Sequence, residues 1–261
     1  MNNILKSDFY RLFKSKSYYI CAGVAVFLLV LNICLAKWLI VSTNQGDVAN
    51  TILPYKDGIS YGLTVFANSN ILMIIAIFTA IYITAEFAHG TMKNAVSKGF
   101  SKLQIYLSKL TVMTVAAFLI LFVTFLAGVI SASIITGTVG DFTSKYIEYI
   151  LKIIGIELLL NLALTSVLVM VAMVFRNLGG VIAIDILGVL SLGTLIFNIL
   201  ELIFDGKIKF TEYSLLNNIS FYFQNQTATG SDYLRSTIVG IAFLVVFAAL
   251  GTLIFKKADV K

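Results

Sequence analysis

The chain has very few of the residues that shape or cross-link soluble domains: its 261 residues include one proline, one histidine and two cysteines. Charged residues make up only 12% of the chain, about half the share of an ordinary soluble domain. A zinc protease site is excluded, because it needs two histidines one helical turn apart. Cys21 and Cys34 both lie in the first long apolar run, where we expect packing residues rather than a disulfide.

Two catalytic motifs are also missing. There is no glycine-rich phosphate loop ending in Gly-Lys-Ser/Thr, so any energy from ATP must come from a separate chain. There is no Gly-x-Ser-x-Gly setting for a serine nucleophile. We therefore expect a protein that is not an enzyme and that itself holds no cofactor and no metal. The net charge of +6 does not indicate nucleic acid, because basic residues collect at the ends of membrane spans.

What the chain does have is apolar sequence: 59% of its residues are hydrophobic, in runs near 20 residues long. A helix of that length crosses a hydrocarbon core of roughly 30 Å. The runs do not alternate as the strands of a membrane barrel do. The sequence predicts an all-α membrane protein with six spans: Tyr18–Val41, Leu63–Ala85, Leu107–Thr136, Ile147–Phe175, Val181–Leu202 and Tyr233–Phe255.

Basic residues predict the orientation of these spans. With both termini in the cytoplasm, twelve basic residues lie inside: Lys6, Arg11, Lys14, Lys16, Lys93, Lys98, Lys102, Lys109, Arg176, Lys256, Lys257 and Lys261. Seven lie outside: Lys37, Lys56, Lys145, Lys152, Lys207, Lys209 and Arg235. The only proline, Pro54, falls in a polar outer loop.

Residues 1–17 predict an amphipathic helix that precedes the membrane domain of residues 18–261. Leu5, Phe9 and Leu12 are spaced to share one helical face, and Ile4 and Phe13 flank it. The basic residues lie mostly on the other face, where they meet anionic lipid. The alternative is a plain positively charged anchor.

The cytoplasmic loop of residues 86–109 carries several local signals. A short helix is predicted over Thr91–Lys98, ended by Gly99 as a left-handed cap. Ser101 and Gln104 form a capping box that starts the third span. The chain thus predicts a short transverse helix held between two spans, suited to transmit force from a soluble partner.

This loop resembles a family pattern. The segment resembles the pattern E-x(3)-G-T-x-K-x(3)-S-x-G-x-S-[RK] of ABC-2 type ABC transporter permeases, through Glu86, Gly90, Thr91, Lys93, Ser97, Gly99, Ser101 and Lys102. Tyr106 and Lys109 follow it, and Lys102 stands where many relatives carry arginine, which makes bidentate contacts. Among these permeases the chain is most similar to small bacterial ones for export of, or immunity to, lantibiotic and bacitracin-type peptide antibiotics.

The resemblance implies a function and partners. Thr91–Lys98 would be the coupling helix that docks on a separate ATP-binding subunit carrying ATP and Mg. Lys98 is a further candidate for that contact. Arg176, in the cytoplasmic turn between the fourth and fifth spans, is another. The N-terminal helix would be the elbow helix. A second copy or a sister permease would complete a dimeric unit in the bacterial inner membrane, which exports an antimicrobial peptide or another amphiphile.

Carboxylates inside the spans are functional suspects. Asp185 lies at the start of the fifth span, and we predict an ion pair with Arg176 across the intervening turn. Glu157 is deeper, with Asn161 one turn on. The sequence leaves open whether Glu157 lines a pathway, lies in a subunit interface or is protonated. A proton-coupled secondary transporter using Glu157 and a non-transporting scaffold or sensor are therefore alternative functions.

The outer segment of residues 203–232 is long and rich in aromatic residues, so it predicts either an interfacial belt or a stretch that dips into the outer leaflet. Phe221, Tyr222 and Phe223 are the candidate exit site for an amphiphile. In the inner loop, Glu86 and His89 have the spacing of half a di-iron site. The chain offers no other histidine to complete such a site.

Overall fold

The computed structural model describes residues 2–43, 57–140, 142–204, 209–224 and 228–257, and these residues form helices with no strand. The all-α class predicted from the apolar runs is confirmed. The loop that contains Pro54 lies outside the described residues, as do three basic residues used to predict the orientation, Lys56, Lys207 and Lys261.

The described residues of the first half form an N-terminal helix, three long helices and two short ones. Their bounds are α1 Asn2–Lys14, α2 Lys16–Thr43, α3 Gly58–Leu63 with a 3₁₀ turn Thr64–Ala67, α4 Ser69–Ala88, α5 Thr91–Ser97 and α6 Lys102–Thr136. The second half contains α7 Ser144–Phe175, α8 Leu178–Ala183, α9 Gly193–Ile203, a 3₁₀ turn Phe210–Tyr213, α10 Leu215–Gln224 and α11 Gly230–Lys257.

Among the described residues, six helical stretches are long and apolar enough to cross a membrane: α2, α4, α6, α7, the stretch from α8 to α9, and α11. The predicted number and order of spans are confirmed, but the second span does not begin at Leu63. Asn68 has an extended backbone and its side chain accepts a hydrogen bond from the Asn70 amide at 3.0 Å, so it caps a new helix. The polar run Asn68-Ser69-Asn70 marks this break in the sequence.

The helices α4 and α7 form the centre of the bundle. In each, 67% of the most apolar window is buried, against 11% in the fifth span, α8 to α9. The helix α4 packs against α2 and α7, and α7 packs along α11. In contrast, Ile196, Ile199 and Leu202 of α9 are more than half exposed. Such an apolar surface faces lipid or another membrane helix.

The fifth span is irregular in its middle. Between α8 and α9 the chain is π-helical over Ile184–Leu192, and the Ser191 hydroxyl donates to the Ile186 carbonyl at 2.8 Å. π-Helical turns are rare and often lie at functional sites. The first turn of this segment contains Asp185, which is fully buried.

The last span approaches the third closely near the end of the bundle that carries α5, which we call the loop end. A Cβ atom at Gly251 would overlap the hydroxyl and ring of Tyr106. The Tyr106 hydroxyl donates to the Phe247 carbonyl at 3.4 Å. Gly251 therefore allows α11 to pack directly on α6 at this end.

Candidate functional site

Four charged side chains from three helices meet at the loop end, and we call them the charge cluster. They are Asp8 and Arg11 of α1, Glu86 of α4 and Lys109 of α6. The Lys109 Nζ lies 2.5 Å from Asp8 Oδ1 and 2.6 Å from Glu86 Oε1. Arg11 Nη2 makes a close ion pair with the same Glu86 oxygen. The cluster thus joins α1 to both helices that flank the loop.

The cluster is buried and electrically balanced. Lys109 is 2% exposed, Glu86 3% and Asp8 7%, whereas Arg11 lies at the edge with about a third of its side chain exposed. With two charges of each sign, the pairs offset the desolvation that makes a lone buried charge so unfavourable. Balanced pairing is therefore a condition for these helices to pack as they do.

Hydrogen bonds complete the surroundings of Asp8. The Ser108 hydroxyl donates to Asp8 Oδ2 at 2.6 Å, and the Tyr82 hydroxyl donates to the Asp8 carbonyl at 2.8 Å. Arg11 Nη2 donates to the Tyr82 carbonyl at 3.3 Å, and its guanidinium lies 3.9 Å from the centre of the Tyr82 ring. These bonds fix the rotation of α1 about its own axis.

That rotation differs from the predicted one. The buried face of α1 is Ile4, Asp8 and Leu12, spaced by four residues, whereas Phe13 is 48% exposed. Leu5 and Phe9 are only partly buried against the core. The buried face is therefore shifted by part of a turn from the predicted stripe of Leu5, Phe9 and Leu12 toward Ile4, a predicted flank, and Asp8 on this face pairs with Lys109.

The loop between α4 and α6 has the predicted local structure. Helix α5 is Thr91–Ser97, one residue shorter than predicted, and Gly99 has a φ of 84°, in the left-handed region. Ser101 and Gln104 form both hydrogen bonds of the capping box, each 3.2 Å long. Gly90, with a φ of 67°, makes the matching turn before the helix.

Helix α5 has a buried face and a basic exposed face. Met92 is 1% exposed, and Ala95 and Val96 pack against the core. Lys93, Ser97 and Lys98 are exposed, and neither lysine pairs with a carboxylate in the described part of the chain. The Thr91 hydroxyl donates to the Glu86 carbonyl at 3.1 Å, which attaches this helix to the charge cluster.

The other predicted coupling residues also lie at the loop end. Lys102 Nζ donates to the Lys256 carbonyl at 3.1 Å, which ties the start of α6 to the end of α11. Arg176 ends α7 with a φ of 57°, and its guanidinium lies 5.1 Å from the centre of the Phe87 ring. Phe87 follows Glu86, so the contact of Arg176 adjoins the charge cluster.

The predicted ion pair between Asp185 and Arg176 is wrong. Asp185 is fully buried, and neither of its carboxylate oxygens has a hydrogen-bond partner among the described residues. Arg176 instead lies against Phe87, and its Nε donates to the Met173 carbonyl at 3.5 Å. Closeness along the chain did not bring the two together, because the turn directs Arg176 toward α4.

Glu157 is fully buried in α7, and both of its carboxylate oxygens lack a hydrogen-bond partner in the described chain. The Asn161 amide does not reach that carboxylate. It donates to the Glu157 backbone carbonyl at 2.9 Å and to the Phe66 carbonyl at 3.4 Å. Glu157 and Asn161 are therefore neighbours without forming a bonded pair.

The three aromatic residues at the opposite end of the bundle have different surroundings. Tyr222 is 3% exposed and stacks on Tyr233 at 5.3 Å, and its hydroxyl donates to Ser236 Oγ at 2.8 Å. Burial raises the pKa of Tyr222 to about 12, so this hydroxyl is a proton donor. Phe221 lines a cavity of about 240 Å³ and Phe223 one of about 420 Å³. Tyr222 thus has a structural role, whereas Phe221 and Phe223 line cavities.

No group of three or more histidine, cysteine, aspartate or glutamate side chains that could hold a metal lies within the ranges that the structure describes. Glu86, which has the spacing from His89 that half a di-iron site would need, instead forms ion pairs with Arg11 and Lys109. His89 Nδ1 lies 2.6 Å from the Ala85 carbonyl.

Sequence reasoning missed Asp8, Tyr82 and Ser108. The available signal was Asp8 itself, which stands four residues from both Ile4 and Leu12, two apolar residues on one face. A carboxylate in the middle of an apolar stripe indicates a buried cationic partner. The sequence does not reveal that this partner is Lys109, about a hundred residues away.

Six apolar helical stretches and a buried charge cluster at one end define a multi-pass helical membrane protein. The chain belongs to the DUF2705 family, described as a protein of unknown function, which matches residues 30–261. No curated protein matches the sequence.

Proposed function

We propose that this chain is the permease subunit of an ATP-driven exporter, in which α5 docks on a separate ATP-binding subunit. One observation carries the proposal: α5 presents Lys93 and Lys98 on its exposed face, while its other face and Glu86 fix it to the bundle. A docking element must combine an exposed contact surface with a firm connection to the spans. The resemblance of residues 86–102 to the permease loop supports the same role.

In this proposal both termini and α5 face the cytoplasm of a bacterium, as the distribution of basic residues favours. The chain works as a pair, with a second copy or a sister permease. The exposed apolar residues of the fifth span, such as Ile196 and Leu202, leave a surface for such a partner or for lipid. ATP and Mg bind to the partner subunit.

The docking test is co-purification of the chain with a candidate ATP-binding protein from the same organism. Lys93→Glu with Lys98→Glu reverses the charge of the exposed face of α5, so we expect loss of the complex and of transport-linked ATP hydrolysis. The matched control is Lys37→Glu with Lys145→Glu, which makes the same charge change at exposed positions of the opposite end. Equal complex yield from both double variants would reject docking through α5.

The proposed cargo is a membrane-active peptide or another amphiphile. Cavities at the opposite end from α5 combine amide and hydroxyl groups, as at Asn68 and Ser220, with apolar side chains such as Phe223. Such mixed surfaces suit half-wet ligands. Growth inhibition by a panel of cationic peptide antibiotics, with and without the chain and its ATP-binding partner, tests this cargo.

Within that assay, Phe223→Ala is the informative variant, and Tyr222→Ala is not, because the buried Tyr222 supports the fold through Ser236. We expect Phe223→Ala to weaken protection at unchanged surface expression. Equal sensitivity to the whole panel, together with transport of a small ion, would reject the amphiphile as cargo.

A second candidate function is proton-coupled transport through Glu157. It is favoured by the buried carboxyl group without a partner among the described residues, because intramembrane carboxylates mark proton pathways. The two candidates differ in their energy source. ATP-driven export continues when an ionophore collapses the proton gradient, and it stops when ATP is depleted. Proton-coupled transport shows the reverse and is abolished by Glu157→Gln.

A further inference from the structure

A basic cavity of about 350 Å³ lies at the loop end, between the corner that joins α1 to α2 and the end of α4. Its polar wall has three nitrogen-bearing side chains and three hydroxyl groups: Arg11, Lys14, His89, Ser15, Ser17 and Thr91. No carboxylate is among the lining residues that the structure describes. The cavity is therefore lined by hydrogen-bond donors and positive charge.

One cation of this wall, Lys14, is not paired with a carboxylate of the described residues. Arg11 is paired with Glu86, but Lys14 approaches no carboxylate in the described residues, and its Nζ lies over the Tyr10 ring, 5.2 Å from the ring centre. The two neighbouring acids, Asp8 and Glu86, already contact Lys109. A negatively charged ligand in the cavity would thus meet an uncompensated cation.

His89 is positioned to contribute as well. Its Nδ1 lies 2.6 Å from the Ala85 carbonyl, an acceptor, so Nδ1 carries the proton that it donates there. In the neutral ring Nε2 is then an acceptor, so His89 donates a hydrogen bond to an anion in the cavity only when both ring nitrogens carry a proton. Ser15 and Ser17 flank the start of α2, where the helix dipole also favours an anion.

The rest of the cavity wall is largely apolar: it consists of Ile81, Ala85 and Tyr82, whose hydroxyl donates to the Asp8 carbonyl. In the first turns of α2, which begins at this cavity, the side chains of Tyr19 and Ile20 are well exposed, at 58% and 64%. A free inorganic anion has no apolar part that could contact these side chains. A ligand with an anionic head and a hydrocarbon tail satisfies both parts.

We propose that this cavity binds the phosphate headgroup of an anionic phospholipid from the leaflet at the loop end, with the acyl chains along α2. Basic pockets between membrane helices bind anionic headgroups in this way. The bound headgroup would contact α1, α2 and the start of α5 together, and so hold the N-terminal helix against the loop. The inference does not depend on the proposed transport function.

The test is native mass spectrometry of the full-length chain in detergent, titrated with phosphatidylglycerol or with phosphatidylcholine. We expect one phosphatidylglycerol to bind in preference to phosphatidylcholine. A basic residue near a lipid surface contributes about 1 kcal/mol, so Lys14→Gln should weaken phosphatidylglycerol binding about fivefold. Lys14→Arg keeps the charge and should keep the affinity.

The matched control is Lys6→Gln, the same charge change on the same helix at an exposed position outside the cavity, which should leave binding unchanged. Equal binding of both lipids, or wild-type affinity in a Lys14→Gln, His89→Gln double variant, would overturn the proposal. Soluble glycerol phosphate should not displace the lipid at equal concentration. If it does, the site recognises a free phosphate ester rather than a lipid, and the proposal is rejected.

Discussion

Removal of the Lys109 ammonium is the sharpest perturbation of the charge cluster. Lys109→Met keeps a long apolar stem but leaves the carboxylates of Asp8 and Glu86 with Arg11 as the one remaining cation of the cluster. Lys109 is 2% exposed, so water cannot replace it without opening the packing. Breaking a buried pair in this way costs about 3–5 kcal/mol of unfolding free energy.

The geometry also predicts how the loss is relieved. Asp8→Asn together with Lys109→Met removes one charge of each sign and leaves the pair of Arg11 with Glu86. We therefore expect the double variant to lose less stability than the two single variants combined, with a coupling of roughly 1–3 kcal/mol. The Ser108 hydroxyl still has an acceptor in that variant, because the new amide side chain keeps one oxygen.

The assay is reversible unfolding in mixed micelles, followed by loss of helicity. The control is Lys152→Met, which breaks an ion pair with Glu148 of similar length, 2.6 Å, whose side chains are more than half exposed. Exposed pairs contribute little to stability, so no measurable change is expected there. A Lys109→Met protein as stable as the Lys152→Met protein, or strict additivity in the cycle, would refute the buried, balanced cluster.

Three further predictions concern the backbone and the topology. Gly99→Val forces a branched residue into the left-handed region, which costs roughly 1–2 kcal/mol, and the proposed transport activity should fall while the protein stays inserted. Gly251→Val should overlap Tyr106 and lower the unfolding free energy by about 1–3 kcal/mol, as measured in mixed micelles, and Tyr106→Ala should partly restore it. Single cysteines at Ser97 and Thr229, in a cysteine-free background, should label from opposite sides of sealed cells. Labelling from one side would contradict the six-span topology.

Much of the fold can be predicted from local patterns of residues along the sequence. Apolar runs near 20 residues long specify spans because lipid admits only helices with satisfied backbones, unless a barrel closes. The start of α6 follows from two residues, Ser101 and Gln104, whose hydrogen bonds are local. The turn at Gly99 follows from glycine's access to positive φ. These features need no knowledge of distant contacts.

The charge cluster could not be predicted in the same way. Asp8 shares a helical face with Ile4 and Leu12, which indicates a buried cationic partner, but the sequence does not identify that partner. The partner is Lys109, about a hundred residues away on α6, and this ion pair allows Asp8 to be buried between α1 and α6. The π-helical segment with Asp185 has no sequence signal that distinguishes it from a regular span. Both features arise from packing between helices, which a single-sequence pattern does not encode.

The position of the charge cluster predicts that a variant of α5 and a variant of the cluster fail in different ways. Glu86 lies just before the loop and Lys109 just after it, and both bind α1. Helix α5 therefore cannot shift relative to the bundle unless α1, α4 and α6 move together or the cluster opens. If α5 receives a push from an ATP-binding subunit, Lys93→Glu with Lys98→Glu should prevent docking and so abolish the complex. Asp8→Asn with Lys109→Met should keep the complex and its ATP hydrolysis but reduce the transport that each ATP drives.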